Sequence, residues 1–497
     1  MNAQEFLSLL REPGRAGRLA VQGASQSLSY ADLARQVDAC AERIAARPAR
    51  PARVLASVMD NGADWIILDL ACLQLGIVHV PLPLFFTPAQ WLATIDAAGA
   101  DVVAGPDSLA AILLERGFEA NSGRPDSPSL FHRSATPVTL PDRTVKITFT
   151  SGSTGAPKGV CLGAEEMLNV ASGLAAATRP LNVRRHLTAL PLPVLLENIA
   201  GVYAALIEGA AMITQPLARI GLQGSSRFDP AMFHAALAAS DAQSAIVLPQ
   251  MLRAYTGWLR TTGARAPSGL RLLAVGGAAV GRELLAAARA QGLPAYEGYG
   301  LSEACSVQTL NLPGDDSPGS AGRPLPHAQV RIAPDGEIEV AGSPALGYLG
   351  QDTALPRWLP TGDLGRLDDA GFLHVQGRKK NLLITGFGRN VSPEWIEVLL
   401  TSQACIAQAV VLGEGQAELG AVIWPQPGIG EAQLHAAIER ANGALPDYAR
   451  IGPWMLARDE FTVASGLSTA NGRPRRDAIS ALHADQLFPR KAAQPIL

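Results

Sequence analysis

The feature that most constrains this chain of 497 residues is a stretch rich in glycine and hydroxyl side chains, residues 148–160, which reads T-F-T-S-G-S-T-G-A-P-K-G-V. The run before it, residues 145–149, alternates apolar and polar residues, which predicts a half-buried strand that delivers a loop at the sheet edge. Glycine lets backbone N–H groups approach a ligand, hydroxyls donate further hydrogen bonds, and Lys158 adds a positive charge. The stretch therefore predicts a loop that binds a polyphosphate.

A mobile surface turn would explain the same composition, since glycine and serine are common in turns. The stretch is not a Walker loop, because that motif needs a serine or threonine directly after its lysine to hold magnesium. Here Lys158 follows Pro157 and precedes Gly159. The spacing excludes a P-loop NTPase.

Residues 148–160 resemble, nearly residue for residue, the signature of adenylate-forming enzymes: acyl-CoA synthetases, aryl-CoA ligases, luciferases and peptide-synthetase adenylation domains. The resemblance extends along most of the chain. It implies a large N-terminal α/β domain at residues 1–378, built from two sheet-plus-helix subdomains and a β-rich subdomain. It also implies a small mobile α+β domain at residues 379–497, with a hinge near Lys380.

Bulk properties limit the possible partners. The formal net charge of −3 and the lack of a basic run argue against binding to nucleic acid or to an anionic membrane. The five cysteines are scattered and never spaced as a metal or redox pair, so we expect reduced, mostly buried thiols. Residues 1–18 lack a signal-peptide core, and polar residues and prolines break the apolar stretch 65–86. We expect a cytoplasmic protein without integral membrane association.

Several segments predict a parallel sheet covered by helices. Ser29 reads as the N-cap of an amphipathic helix. Residues 53–59, 64–75 and 77–80 predict strand, helix and strand, and residues 270–275, 282–291 and 293–296 repeat that order after a further strand at 243–248. Residues 123–141 lack periodicity and read as a surface connection.

Residues 187–198 are followed by a small-residue helix, 199–207. In the long-chain branch of the family this segment commonly reads proline, leucine, serine, histidine, two hydrophobic residues and an acid. Pro191, Leu192 and Glu197 keep that outline. The resemblance therefore places Val194, Leu195 and Asn198 near the carboxylate substrate, whereas composition alone favours the entry to a core helix.

A turn of small residues, Gly276-Gly277-Ala278, follows the predicted strand 270–275. The absence of side chains lets a flat ligand lie against the backbone, although a packing turn would have the same composition. The resemblance assigns this turn to the wall shared by adenine and the acyl group. No acidic residue in 270–277 corresponds to the amino-acid-binding aspartate of the peptide-synthetase branch.

The second signature is Y-E-G-Y-G-L-S-E at residues 296–303, at the carboxyl end of a predicted strand, where open α/β sheets place their ligands. A tyrosine ring can stack on a purine, a hydroxyl can donate to a phosphate, and a carboxylate can hold Mg²⁺. By resemblance these are Tyr299, Ser302 and Glu303. A strand end followed by a helix N-cap is the structural alternative.

Residues 321–378 predict short strands and turns, and we expect a β-rich subdomain that closes the large domain. Asp363 and Arg378 match the family's ribose-binding pair, although Asp363 could equally cap a turn and Arg378 could equally be a surface charge. The resemblance implies that residues 386–391 line a pantetheine tunnel. Ser392 then reads as the N-cap of a helix, which is followed by strands at 406–412 and 420–424 and a helix at 431–442.

Arg473 stands where the family has a lysine that is thought to bridge the carboxylate and the α-phosphate during adenylation. Arginine keeps the charge but is planar, larger and forked. Three outcomes are open: Arg473 acts with altered geometry, Arg475 or Arg476 substitutes, or adenylation is slow. Because the nucleotide-binding residues of the large domain are present, we expect a working enzyme.

The resemblance implies an ATP-dependent carboxylic acid ligase that forms an acyl-adenylate and then a thioester, with ATP, Mg²⁺ and coenzyme A; an acyl carrier protein with its phosphopantetheine is the second choice of acceptor. A protein that binds nucleotide or acyl-adenylate without turnover is the rival, motivated by Arg473. The site residues so implied are, for catalysis, Lys158, Glu303 and Arg473; for ATP or AMP, Thr150, Ser151, Gly152, Ser153, Thr154, Gly155, Lys158, Gly276, Gly277, Ala278, Glu297, Gly298, Tyr299, Gly300, Ser302, Asp363 and Arg378; for the acid, Val194, Leu195, Asn198, Gly276 and Gly300; for the thiol tunnel and hinge, Lys380, Gly386 and Gly388; and for magnesium, Ser151 and Glu303.

Overall fold

The computed structural model describes residues 1–46, 52–121, 128–150, 158–224, 227–351, 353–386, 389–469 and 472–489. The helices in these ranges are α1 Ala3–Leu9, α2 Tyr30–Ala45, α3 Ala63–Leu75, α4 Pro88–Ala97, α5 Ala110–Leu114, α6 Ala164–Thr178, α7 Ala204–Glu208, α8 Pro230–Ala239, α9 Pro249–Thr262, α10 Arg282–Ala290, α11 Pro393–Ser402, α12 Glu431–Gly443 and α13 Arg476–Leu487. A π-helix, Leu196–Tyr203, precedes α7.

The strands are short and mostly buried, as expected where helices cover both faces of a sheet. They are β1 Leu19–Gln22, β2 Ser27–Ser29, β3 Val54–Val58, β4 Val78–Leu82, β5 Val102–Gly105, β6 Glu119–Asn121, β7 Ser129–His132, β8 Thr144–Thr150, β9 Lys158–Gly163, β10 Arg185–Leu187, β11 Ala211–Ile213, β12 Leu222–Gln223, β13 Arg227–Phe228, β14 Ser244–Val247, β15 Leu272–Val275, β16 Ala295–Leu301, β17 Ser306–Leu310, β18 Arg323–Pro324, β19 Gln329–Ile332, β20 Glu337–Ala341, β21 Gly347–Tyr348, β22 Leu359–Leu367, β23 Leu373–Arg378, β24 Leu383–Ile384, β25 Asn390–Val391, β26 Ile406–Leu412, β27 Leu419–Pro425 and β28 Ile451–Leu456.

Two large sheets organise the N-terminal part of the molecule. One has the order β21-β9-β8-β4-β3-β5-β7-β6, and the other has the order β18-β17-β16-β15-β14-β10-β11-β1-β2. The predicted crossovers are confirmed, since β3 and β4 are parallel around α3, and β14, β15 and β16 are parallel neighbours. Ser29 caps α2 as predicted by accepting a hydrogen bond from the Asp32 N–H.

The β-rich region also has the predicted texture. β19, β20, β22 and β23 form a four-stranded antiparallel sheet, whereas β21 leaves it and pairs with β9 of the first large sheet. A three-stranded sheet, β26-β27-β28, follows with α11, α12 and α13 around it. The guanidinium of Arg253 on α9 donates to the Thr401 carbonyl of α11, which joins this last region to the second large sheet.

Two local expectations were wrong. The segment 123–141 is not only a connection, because β7 lies within it and pairs with β5 through the buried residues Leu130 and Phe131. The strand before the glycine-rich loop is not half-buried, because it lies between β4 and β9 and its polar residues Lys146 and Thr148 are buried as well.

Ser392 is the N-cap residue of α11 as predicted, although its hydroxyl donates to the Gln376 carbonyl and makes no capping hydrogen bond.

All five cysteines lie in the described ranges, none of them is paired in a disulfide, and all except Cys405 are buried, as predicted. Among the described residues, no helix is both long enough and apolar enough to cross a bilayer.

Candidate active site

The glycine-rich stretch lies between two paired strands. β8 and β9 are antiparallel, and Thr150 stands opposite Lys158 where the pair ends. Outside the described residues lie Ser151, Gly152, Ser153, Thr154 and Gly155 of the predicted phosphate loop and Gly388 of the predicted thiol tunnel. The geometry of the predicted nucleotide site is therefore carried by Lys158 and by the residues that surround it.

Lys158 and Glu303 meet on one tyrosine. The Lys158 ammonium lies 3.3 Å from the centroid of the Tyr348 ring, a cation–π contact. The hydroxyl of Tyr348 lies 3.4 Å from Glu303 Oε1, to which it donates. Burial, assisted by the negative charge of Glu303, raises the pKa of Tyr348 to about 12, so the hydroxyl keeps its proton at neutral pH. The predicted phosphate-binding lysine and magnesium-binding carboxylate thus face the same region.

Tyr348 was missed by the sequence reasoning. Its place in the site comes from β21, where Tyr348 pairs with Val160 two residues beyond Lys158. Ser302 precedes Glu303 in a short 3₁₀ turn and is half-buried. The two residues are delivered to this region by the hairpin of β16 and β17.

The predicted ribose pair is assembled together with the predicted adenine-stacking tyrosine. Arg378 Nε lies 2.9 Å from Asp363 Oδ1, and the Tyr299 hydroxyl donates to Asp363 Oδ2 at 2.7 Å. β22 and β23 place Asp363 directly opposite Arg378. Burial raises the pKa of Asp363, and the positive charge of Arg378 opposes that rise. This group, the ribose corner, presents a nearly buried carboxylate that two neighbours orient.

The turn Gly276-Gly277-Ala278 follows β15, beside the carboxyl end of β14. A methyl group added to Gly276 would lie 3.7 Å from the Leu196 side chain. Gly277 has a positive φ of 86°, which favours glycine, and a methyl group there would lie 3.0 Å from Leu248. Apolar side chains from two other segments therefore flank the turn.

Gly298 and Gly300 have a packing role in the β16–β17 hairpin. A methyl group at Gly300 would lie 2.1 Å from the Ser306 carbonyl oxygen, and one at Gly298 would lie 2.9 Å from the Thr309 carbonyl oxygen. No side chain fits between the strands at these positions, because such distances are shorter than any non-bonded contact allows.

Glu297 is buried between these elements. One of its carboxylate oxygens accepts a 3.1 Å hydrogen bond from the Val280 N–H, just beyond the small-residue turn. Burial raises the pKa of Glu297 to about 8, although the hydrogen bond from Val280 favours the ionised form. At neutral pH the Glu297 carboxyl is therefore protonated in most molecules.

The segment predicted to contact the acid divides into two parts. Val194 is half-buried and Leu195 is buried at the start of the π-helix, and Leu196 faces Gly276. Asn198, also expected at the acid's pocket, lies elsewhere: it is 2% exposed, and its amide is bound within a group of buried polar side chains. Leu196 is the residue that sequence reasoning passed over.

We call this group the inner polar cluster; it consists of Ser57, Asp69, His79, Lys146, Asn198 and Tyr203. The Lys146 ammonium lies 2.8 Å from Asp69 Oδ1 and donates to Asn198 Oδ1. The Asn198 amide donates to Asp69 Oδ2 at 3.0 Å, and the Tyr203 hydroxyl donates to the same oxygen at 2.9 Å. His79 Nδ1 is 2.6 Å from Asp69 Oδ1, and His79 Nε2 is 2.8 Å from Ser57 Oγ.

The charges of the inner polar cluster are mutually satisfied. Burial favours a raised pKa for Asp69, but the positive charge of Lys146 and the hydrogen bond of His79 outweigh it and hold that pKa below its ordinary value. The sequence carried a signal for the cluster, because Asp69 and His79 interrupt the apolar stretch 65–86.

A second group of buried polar residues, the outer polar cluster, holds the π-helix from its other side. Glu197 Oε1 lies 2.8 Å from His186 Nε2, and His186 Nδ1 lies 2.8 Å from Ser244 Oγ. Glu197 Oε2 accepts from the Leu190 N–H at 2.9 Å. Consecutive residues of the π-helix, Glu197 and Asn198, are therefore anchored in different clusters.

Arg473 reaches the large domain. Its Nη2 donates to the Gly277 carbonyl at 2.9 Å. Arg473 as a whole is exposed, but its guanidinium is crowded by protein, and desolvation and the positive charge of Arg378 lower the pKa of Arg473. The charges of Asp363 and Glu303 oppose that shift, which shows that the guanidinium stands within electrostatic range of both carboxylates.

Neither neighbouring arginine shares that position. Arg475 donates to the Gly466 carbonyl at 3.3 Å. Arg476 is paired with Glu397 at 2.5 Å and also donates to the Val411 carbonyl at 2.6 Å. Of the arginines in this segment, Arg473 is therefore the one that the described structure directs toward the predicted nucleotide site.

Lys380 of the predicted hinge and Gly386 of the predicted thiol tunnel are exposed. Lys380 lies in a short 3₁₀ turn, Lys379–Asn381, directly after Arg378. Its neighbour Lys379 is held to the β-rich region by Asp335 at 2.6 Å and Glu337 at 2.8 Å. The N–H of Gly386 donates to the Gln416 carbonyl at 2.6 Å.

Comparison with known proteins identifies the class. Residues 12–349 match the family model described as AMP-binding enzyme, and residues 380–487 match the model described as AMP-binding enzyme C-terminal domain. A solved structure of the anthranilate CoA ligase AuaEII in complex with anthranoyl-AMP superposes with a TM-score of 0.80 over 97% of both chains, at 17% identity.

Curated relatives are also ligases. The 2-succinylbenzoate–CoA ligase of Bacillus subtilis (strain 168) is 28% identical over 432 residues, which cover 82% of this chain and 84% of that enzyme. The long-chain-fatty-acid–CoA ligase FadD15 of Mycobacterium bovis is 32% identical over 242 residues, which are 43% of this chain and only 40% of that ligase.

The family models, the fold and the related ligases identify an AMP-forming acid–thiol ligase with the adenylate-forming enzyme fold. Since the first family model covers more than half of the 497 residues, the chain belongs to the AMP-binding enzyme family.

Proposed function

We propose that this ligase activates a carboxylic acid with an apolar, uncharged body and transfers the acyl group to coenzyme A in the cytoplasm. The acid's carboxylate attacks the α-phosphorus of Mg·ATP and pyrophosphate leaves. The thiol then attacks the carbonyl carbon of the mixed anhydride, and AMP leaves with the electron pair of the broken C–O bond. The observation that carries the proposal is the contact of Arg473 with the Gly277 carbonyl, where the charges of Asp363 in the ribose corner and of Glu303 act on its guanidinium.

Each group has a role that its chemistry supports. Asp363, oriented by Tyr299 and Arg378, would accept hydrogen bonds from both ribose hydroxyls. Lys158, held over the Tyr348 ring, would also bind the triphosphate. Arg473 would neutralise charge that develops between the carboxylate and the α-phosphate.

Magnesium would arrive as part of the Mg·ATP substrate. Among the described residues, no group of three or more histidine, cysteine, aspartate or glutamate side chains could hold a metal ion. Glu303 is a single carboxylate, which suits Mg²⁺ because that ion retains waters and binds substrate phosphates as its other ligands. Ser151 is proposed as a second contact on the basis of the family resemblance alone.

The apolar character of the acid is inferred from its proposed wall. Leu196 approaches Gly276, Val194 and Leu195 precede it in the chain, and the burial of Glu297 keeps that carboxyl mostly neutral at pH 7. The relatives named above act on 2-succinylbenzoate and long-chain fatty acids, and the solved neighbour acts on anthranilate. Aryl and alkyl acids are therefore the first to test.

The proposed domain boundary follows Arg378, with Lys380 as the hinge. Rotation about Lys380 would withdraw Arg473 after adenylation and bring Gly386 and Gly388 to the site for the thiol. The pairing of Lys379 with Asp335 and Glu337 supports this division, because it fixes one side of the hinge to the large domain.

The test is ATP–pyrophosphate exchange with a panel of aryl and alkyl acids, followed by thioester formation with coenzyme A or with a phosphopantetheinylated carrier protein. We expect exchange with some apolar acids and thioester formation with coenzyme A. If exchange occurs and the acyl product forms on the carrier protein but not on coenzyme A, the carrier protein is the acceptor instead. Nucleotide binding without exchange for any acid would contradict the proposal.

A further inference from the structure

The inner polar cluster joins two parts of the active site that the chain supplies from distant positions. Lys146 belongs to β8, two residues before the start of the glycine-rich stretch. Asn198 belongs to the π-helix that carries Leu196 toward Gly276. The Lys146 ammonium donates to the Asn198 side chain, and both side chains also bind Asp69. Direct contacts therefore connect β8, which leads to the proposed nucleotide site, with the π-helix that carries the proposed acid wall.

The inner polar cluster buries charged side chains almost completely, although the proposed reaction gives them no role. Lys146 is 2% exposed, Asp69 is 2% exposed and His79 is 1% exposed. Replacing a buried ion pair with apolar side chains of similar volume is often neutral or stabilising, so stability alone is a weak reason to keep this pair. Its position between two substrate sites supplies a functional reason.

The π-helix is the element through which the connection would act. π-helices are uncommon and often occur at functional sites. Two consecutive residues anchor this one: Glu197 binds within the outer polar cluster and Asn198 binds within the inner polar cluster. Asn198 and Tyr203 tie the π-helix to Lys146 on β8, whereas Glu197 ties it to His186 on β10 of the second large sheet. A displacement of Leu196 by a bound acid would therefore move the side chain that Lys146 holds.

We propose that Asp69, Lys146 and Asn198 are positioning residues that couple occupancy of the acid site to the placement of the phosphate-binding strand, so that the acid and ATP bind cooperatively. The inference depends on the proposed function, since it presumes that an acid occupies the cleft beside Leu196 and Gly276. It makes the two substrates reinforce each other, and by linkage each raises the affinity of the other by the same factor.

The experiment measures that factor directly. The dissociation constant of α,β-methylene-ATP with Mg²⁺, which cannot release pyrophosphate, is determined by calorimetry without acid and with a saturating acid chosen from the exchange panel. The ratio of the two constants is the coupling factor. For the unchanged protein we expect about 5-fold or more, in the usual range of such couplings.

Two variants remove the connection in different ways. D69L/K146M replaces the ion pair with apolar side chains and leaves no unpaired charge, and N198A/Y203F removes the polar groups through which the π-helix binds Asp69 and Lys146. We expect both to bring the coupling factor to within about 2-fold of unity, because the inner polar cluster then no longer joins the acid site to β8. N198A/Y203F serves if D69L/K146M does not fold.

The matched control is S244A. It removes a partner of His186 in the outer polar cluster, which anchors the same π-helix from β10 and β14 of the second large sheet. We expect S244A to keep the coupling factor, whereas a general loosening of the π-helix would lower it in all variants alike.

Three results would overturn the inference while pyrophosphate exchange persists: a coupling factor of unity in the unchanged protein, full coupling in N198A/Y203F and in a folded D69L/K146M, or an equal loss of coupling in S244A. Exchange that is absent for every acid would instead contradict the proposed function, so the two failures can be told apart.

Discussion

Arg473 of the C-terminal region donates a 2.9 Å hydrogen bond to the carbonyl of Gly277 in the large domain. The two residues are 196 positions apart in the chain, and their contact brings a guanidinium to the turn that walls the proposed nucleotide site. A guanidinium fork can use one nitrogen on a backbone carbonyl and has further N–H groups that can donate elsewhere.

The contact predicts that Arg473→Ala slows adenylation more than thioester formation. Loss of a positioned cation from a site of developing charge typically costs roughly 10²–10³-fold in rate. Pyrophosphate exchange should fall by about that factor, whereas thioester formation from a supplied acyl-adenylate should stay within about 5-fold of wild type. Arg475→Ala is the matched control, because Arg475 binds the Gly466 carbonyl instead. An equal loss in both half-reactions of Arg473→Ala would contradict the assignment.

The ribose corner predicts that Asp363→Asn weakens nucleotide binding. The change keeps the shape of the side chain but removes the negative charge that Arg378 and Tyr299 orient. Hydrogen bonds to a charged group contribute about 1.5–3 kcal/mol, so the KM for ATP should rise roughly 10- to 100-fold. Asp38→Asn is the control, since Asp38 pairs with Arg11 on the surface. An unchanged KM for ATP would remove Asp363 from the site.

Tyr348 allows its ring and its hydroxyl to be tested apart. Tyr348→Phe keeps the ring beneath Lys158 and loses the hydroxyl that reaches Glu303. We expect this variant to need several-fold more Mg²⁺ for half-maximal exchange. Tyr348→Leu loses the cation–π contact as well, worth about 1 kcal/mol, so kcat/KM for Mg·ATP should fall by a further factor of about 5. If both variants show the same Mg²⁺ and ATP dependence as the wild-type protein, Tyr348 positions neither Lys158 nor Glu303.

Glu297 predicts a pH dependence of stability. Its pKa is raised from 4.5 to about 8 by burial, so the folded protein binds this proton more tightly than the unfolded chain does. The free energy of unfolding should therefore fall as pH rises through this window, by up to about 1.4 kcal/mol per pH unit. Glu297→Gln should remove this contribution. Urea denaturation of both proteins at several pH values measures it, and a difference between them that does not change with pH would contradict the expectation.

The Asp69–Lys146 pair predicts strongly non-additive stability effects. Lys146→Met alone leaves the Asp69 carboxylate buried without its cation, which should cost about 3–5 kcal/mol of the free energy of unfolding. Adding Asp69→Leu removes that charge and should recover most of the loss. Chemical denaturation of the single and double variants gives the coupling energy, and a double variant less stable than Lys146→Met would contradict it.

Local patterns predicted much of the fold. Apolar runs of strand length identified β3, β14 and β15, and the serine before α2 identified its start. These features depend on neighbours in sequence, since strand burial and helix capping are settled within a few residues. The β7 strand was missed because it is short and lies among prolines, and its pairing with β5 is what makes it a strand.

The site was predicted less evenly. The glycine and hydroxyl stretch, the Y-E-G-Y-G-L-S-E motif and the resemblance that they support led to the family and to candidates such as Asp363 and Arg378. Tyr348 escaped notice, and Asn198 was assigned to the acid's pocket although its side chain is bound to Lys146. The direction of each side chain in residues 194–203 depends on the type of helix that the segment forms. Because Leu196–Tyr203 is a π-helix, the residues that face Gly276 differ from those that an α-helix would present.

By itself the sequence determined the composition of each loop, the order of strands and helices, and the charges available for nucleotide chemistry. Only the tertiary structure decided that Lys146 and Asp69 are buried together, that Tyr348 stands between Lys158 and Glu303, and that Arg473 reaches Gly277. The physical reason is that these contacts join residues far apart in the chain, whose distances depend on how the sheets, the hairpins and the C-terminal region pack. No local pattern carries that information.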